Sequence, residues 1–170
     1  MRKRLDLIWV AICLVLLSCH RPTSDEETIL ELINGGARLA EEHDLKGLMK
    51  LTTEDFLVEP GGYDREETKK MILWAFMHYR DFRILYPSPQ MDLESGDVDE
   101  ASVRVPFLIV KKGQSFPNLK ELYDDPKSWL QEVGEQADLY RVQLTLTKYD
   151  GEWLVRRAHL EGFTGLGFGD

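Results

Sequence analysis

The 170-residue chain carries 21 basic and 30 acidic side chains, a net charge of −9 with histidines neutral, and 43% hydrophobic residues. That length suits one domain. The acidic balance excludes a nucleic-acid binder, which needs a basic footprint, and excludes adhesion to anionic lipid by charge alone.

The chain opens Met-Arg-Lys-Arg, then runs LIWVAICLVLL through residues 7–17. A basic patch before a short apolar run is the order of a signal peptide. The run falls short of the ~20 residues that a spanning helix needs, and the polar HRPTSDEE behind it adds no second half. LLSC at 16–19 resembles the bacterial lipobox, in which a small residue precedes an invariant cysteine. The resemblance implies cleavage after Ser18, diacylglycerol on the Cys19 thiol and acylation of the new amino group. Cys13 is no rival, because bulky Ile12 precedes it. Several acyl chains anchor a protein stably where one does so marginally. Residues 1–18 are therefore expected to be a lipoprotein signal peptide and 19–24 a tether. His20 in place of an aspartate directs the expectation to the outer membrane, by the sorting rule of enteric bacteria. Cleavage removes Arg2, Lys3, Arg4 and Asp6, which leaves 18 basic and 29 acidic side chains and a net charge of −11. Cys19 is then the sole cysteine, so no intramolecular disulfide is available and the core must hold the fold unaided.

Ser24 and Glu27 form a capping box that starts a first helix, expected to run to about residue 42. Ile29, Leu32, Ile33, Ala37 and Ala40 share one face of it. Gly35 and Gly36 interrupt it at ~1 kcal/mol each relative to alanine. DLKGLMKL reads as a short second helix, DFLVE as a strand and PGGYD as a turn. A second capping box, Asp64 with Glu67, opens a third helix over 65–79. Its centre, MILWAFM, is apolar all round, as in a helix buried on most sides. Strand patterns come next in FRILY, MDLES and ASVRVPFLIVKK. DLYRVQLTLTKY and EWLVRRAHL, joined by Asp150-Gly151, form a hairpin with a type I′ turn. Residues 113–136, rich in acids, prolines and glycines, read as an insertion between strands. The glycine-rich 163–170 reads as a flexible tail.

Three helices ahead of an antiparallel meander make an α+β pattern. EEHDLKGLMKLTTEDFLVEPGG, REETKKMILWAFMHY and KYDGEWLVRRAHL together resemble the NTF2-like (SnoaL-like, cystatin-like) superfamily over residues 25–162. The resemblance implies a curved antiparallel sheet wrapped around the three N-terminal helices, with a conical cavity. The superfamily includes isomerases, dehydratases, ligand binders and silent interaction domains, so fold does not decide function. Relatives that pair through the sheet make a homodimer a further expectation.

No zinc motif, nucleophile elbow or dinucleotide loop is present, and no metal or cofactor is expected. The steroid-isomerase set of one tyrosine and two acids matches no positions here, so the catalytic residues are unknown. An even register about the Asp150-Gly151 turn places Trp153, Val155, Arg157 and His159 on one face with Tyr140, Val142, Leu144 and Leu146. The candidate cavity-lining residues are then Tyr63, His78, Tyr79, Trp153, Arg157 and His159. The expected function is a membrane-tethered envelope lipoprotein that binds a small-molecule ligand or an envelope protein. The alternative is an isomerase- or dehydratase-type enzyme using the cavity.

Overall fold

A computed structural model describes residues 24–93, 99–113 and 137–162. The signal peptide, Cys19, the tether as far as residue 23, the tail and nearly all of the expected insertion lie outside these residues.

Helix α1 (Asp25–Glu41) begins at the expected capping box, with both reciprocal bonds formed between Ser24 and Glu27. It ends where His43 takes a φ of 57°. Helix α2 (Leu45–Lys50) starts at Asp44, whose carboxylate accepts from the Gly47 N–H. Strand β1 (Thr52–Glu59) comes next, and helix α3 (Arg65–Tyr79) opens on the Asp64–Glu67 capping box. The remaining elements are β2 (Phe82–Leu85), β3 (Gln90–Leu93), β4 (Glu100–Lys111), β5 (Ala137–Tyr149) and β6 (Glu152–Gly162).

The sheet order is β1-β6-β5-β4-β2, with β3 also pairing with β4. The expected antiparallel pairing holds from β2 to β6, with β2 and β3 each paired to β4 rather than to one another, but β1 runs parallel to β6, so the sheet is mixed. Parallel pairing needs a long crossover, and the whole chain between β1 and β6 supplies it. Pro106 is tolerated inside the long strand β4 because it falls between the two stretches that β2 and β3 pair with, 108–111 and 101–104. No ladder bond on that side needs its missing N–H.

Asp150 and Gly151 take φ values of 51° and 83°, as a type I′ turn requires. The even register predicted beyond that turn does not persist. Thr147 faces Leu154 and Leu146 faces Val155, but Thr145 faces Arg157, so Arg156 is the extra residue of a bulge. One added residue reverses every later side chain. Leu144 therefore pairs with Ala158 and Val142 with Leu160, not with Arg157 and His159.

The core joins Ile29 of α1 and Met49 of α2 to Phe56, Val58, Val103, Leu146, Trp153 and Val155 of the sheet. Asp25 pins the start of α1 to the hairpin end. Its carboxylate accepts from Lys148 Nζ at 2.6 Å and from Trp153 Nε1 at 3.0 Å. Glu41 at the other end accepts the Ile84 N–H at 2.7 Å, satisfying a donor on β2. The expectation that α3 is buried on most sides fails. Thr68 and Phe76 are buried and Ile72 half-buried, but Leu73, Trp74 and Met77 are exposed. Packing uses only one stripe of the helix, and apolar composition does not tell which side meets the sheet.

Candidate functional site

Between the helices and the concave sheet face lies a cavity of about 250 Å³. Helix α1 contributes Leu32, Ile33, Gly36 and Ala37 at helical spacing, and α3 contributes Thr68 and Ile72 one turn apart. Val105 and Phe107 of β4, Val142 and Leu144 of β5, and Val155 and Ala158 of β6 form the sheet wall. The bulge at Arg156 is what lets Val155 and Ala158, three positions apart, face the same space.

Among the described lining residues only Thr52, Thr68 and Tyr86 have polar side chains, and each is committed elsewhere. The Thr52 hydroxyl donates to the Met49 carbonyl at 2.9 Å and accepts from Arg65 Nε at 3.2 Å. Thr68 donates to the Asp64 carbonyl at 2.7 Å, and Tyr86 donates to Asn34 Oδ1 at 2.6 Å. Burial, with Glu41 nearby, pushes the Tyr86 hydroxyl above its usual pKa. The wall offers shape and apolar contact, and no titrating acid or base.

The six candidate residues do not line this space. Trp153 is buried in the core and spends its N–H on Asp25. Tyr63 is at the surface, its backbone bridged to Val58. His78 is exposed and stacks on Trp74 at 5.2 Å. Arg157 is exposed on the convex face, where the bulge turns it. His159 sits beside two carboxylates, with Nε2 at 3.3 Å from Glu161 and Nδ1 at 3.7 Å from Glu59.

Tyr79 comes nearest. Its hydroxyl donates to Asp138 Oδ2 at 2.6 Å and lies 2.8 Å from the Tyr140 hydroxyl, which must then be the donor between the two. Burial first, then Asp138 and Tyr140, push the Tyr79 hydroxyl far above its ordinary range, so it stays protonated. Tyr140 in turn stacks on Phe107 with centroids 5.5 Å apart. The polar trio thus adjoins the cavity through one aromatic ring. Tyr140 belongs to the face that the strand register assigns to the cavity, and Asp138 shares its β-strand parity with Val142 and Leu144, a signal in the sequence that the candidate set leaves out. No group of three or more His, Cys, Asp or Glu among the described residues is arranged to hold a metal.

No family model matches the chain, and no curated protein does. Solved structures do. A Nostoc punctiforme protein of unknown function with a cystatin-like fold superposes with a TM-score of 0.62 at 14% identity, over 84% of this chain and 94% of that one. An NTF2-like protein with a cystatin-like fold from Novosphingobium aromaticivorans gives 0.58 at 18%, over 93% and 90%. A third, from the same organism and provisionally named a scytalone dehydratase, gives 0.58 at 18%, over 81% and 83%. At such identities the likeness concerns architecture alone, and the architecture is that of the resemblance drawn from the sequence: this chain has the NTF2-like, cystatin-like fold.

Proposed function

We propose that the domain is a binding module for a compact, uncharged apolar molecule, held at the cell envelope by lipid on Cys19. The carrying observation is a cavity of about 250 Å³ in which every described polar lining side chain is already hydrogen-bonded within the fold. An apolar cavity stays dry and takes apolar guests, as engineered ones do. Its size is somewhat below the roughly 300–1,000 Å³ of sites for drug-sized ligands.

Binding is tested with the uncharged fluorophore N-phenylnaphthylamine and by native mass spectrometry of the purified protein. Saturable fluorescence enhancement is expected, and Ala158→Leu, which adds bulk to the wall, should weaken it. Undiminished binding by Ala158→Leu would move the site elsewhere.

Anchoring is tested separately. Cys19→Ala should abolish palmitate incorporation and release the protein from the outer-membrane fraction, and labelling that survives the substitution would refute the anchor.

One observation favours the enzyme alternative, the Tyr79–Asp138–Tyr140 cluster beside Phe107. It is the one described polar group adjoining the cavity that combines a carboxylate with hydroxyl donors. Under the binding reading Tyr140→Phe leaves fluorophore affinity unchanged.

A further inference from the structure

One stretch of the β4 edge lacks a paired strand. Strand β3 pairs with residues 101–104 and β2 with 108–111, which leaves 105–107 without a partner on that side among the described residues. Val105 and Phe107 of that stretch belong to the cavity wall. The interruption of the sheet thus falls on the cavity itself.

The segment that crosses the gap is Tyr-Pro-Ser-Pro, residues 86–89, between β2 and β3. Pro87 and Pro89 carry no N–H, so at these positions the segment has nothing to donate to the bare β4 edge. Each proline also holds the residue before it extended, which stiffens the crossing. Leu85 pairs with Leu108, so Tyr86 follows at the level of Phe107. Side chains two apart on a strand share a face, and Ile84 and Tyr86 both line the cavity.

The Tyr86 ring is half-buried at this wall, and its hydroxyl donates to Asn34 Oδ1 of α1 at 2.6 Å. Asn34 is exposed, so the ring reaches from the cavity to the surface and is tied at its outer end. Two residues earlier the backbone is pinned to the same helix, where Glu41 accepts the Ile84 N–H at 2.7 Å. An anchored strand therefore leads into an aromatic ring held by one exposed hydrogen bond. Water replaces such a bond at little net cost.

We propose that Tyr86 is the gate of the cavity. Latched to Asn34, its ring closes the space between α1 and the bare β4 edge; released, it swings away from α1 and lets an apolar molecule pass. The assignment rests on the binding reading of the cavity and adds the route of entry and the residue that governs exchange. The closed ring offers a bound molecule the same wall with or without its hydroxyl, so the latch acts on rates more than on affinity.

Tyr86→Phe keeps the ring and removes the donor, and Asn34→Ala removes the acceptor. In stopped-flow fluorescence either variant should take up and release N-phenylnaphthylamine several-fold faster than the parent, with little change in affinity. Saturable binding with rates equal to the parent's would overturn the gate and leave the binding reading standing. A second measurement needs no bound ligand, so it decides the gate even if the fluorophore fails to bind. In the full chain with Cys13→Ser and Cys19→Ser, Ala158→Cys places the only thiol on the cavity wall. Its modification by the small uncharged reagent methyl methanethiosulfonate, followed by intact mass, should accelerate several-fold when Tyr86→Phe or Asn34→Ala is added. Asp25→Asn, which loosens the opposite end of α1, serves as the control and should leave the rate unchanged. Unchanged rates in the latch variants, or equal acceleration by Asp25→Asn, would overturn the proposal.

Discussion

Two tryptophans show how little composition says about a single residue. Trp74 sits in the most apolar stretch of the domain and is 62% exposed, whereas Trp153, flanked by Glu152 in a strand of mixed polarity, is 3% exposed. Trp153→Ala should cost about 3–5 kcal/mol, the range for removing a buried aromatic; a loss below 1 kcal/mol in urea unfolding would deny it that place. Its partner Asp25 has a second, testable consequence. The hydrogen bond from Lys148 first, then that from Trp153, hold the Asp25 carboxyl below the usual carboxylate range. A carboxyl depressed on folding contributes stability above its unfolded pKa of about 3.9 and loses it as pH falls through the lower folded value. Asp25→Asn should therefore cost no more than about 1 kcal/mol at neutral pH, since the pair is part-exposed. The difference from the parent should vanish in acid below that window. A penalty that persists unchanged at pH 2 would mean that ionisation is not its source. Gly35 is the converse case, because an added Cβ there meets no atom within 4 Å. Gly35→Ala should raise stability by up to about 1 kcal/mol, read from the shift in the urea midpoint.

Within the elements, caps and turns were legible and the bulge was not. Ser24–Glu27, Asp64–Glu67 and Asp150-Gly151 are local chemistry, complete within four residues, and the structure forms all three. The bulge at Arg156 depends on the partner strand, yet the strand carries a trace of it. Trp153 and Val155 are apolar on odd positions and Ala158 and Leu160 on even ones. A change of phase in mid-strand is what one inserted residue writes into an alternating pattern. The two registers make opposite demands on adjacent residues. With Arg157 outward, Arg157→Ala should stay within about 0.5 kcal/mol of the parent, as exposed substitutions do. Ala158→Asp puts a carboxylate against the cavity wall and should cost several kcal/mol unless the group is neutralised. Urea unfolding of the two variants decides between the registers, and a larger loss for Arg157→Ala would restore the even one.

The convex face of the whole molecule bears on assembly. Arg104, Gln143 and His159 align across β4, β5 and β6, and Ser102, Thr145 and Arg157 align in the next row. Face-to-face pairing of two such sheets would bury charged groups without assured partners, at a cost of several kcal/mol per unpaired ion. The protein is accordingly expected to sediment as a monomer at low micromolar concentration. A dimer mass abolished by Gln143→Glu would show that the polar face pairs after all.

Composition, capping chemistry and strand patterning determined the α+β class, the three helices, the hairpin and the resemblance to NTF2-like proteins, because each depends on contacts between residues close in sequence. The tertiary structure alone decided that β1 joins β6 in parallel, which side of α3 meets the sheet, and that the cavity is lined by Ile33, Ile72, Phe107, Val142 and Ala158. These depend on which distant segments meet. Aliphatic residues that line a cavity read in the sequence as ordinary core, whereas Arg157 and His159, which looked like part of a site, are turned away from it by one extra residue in one strand.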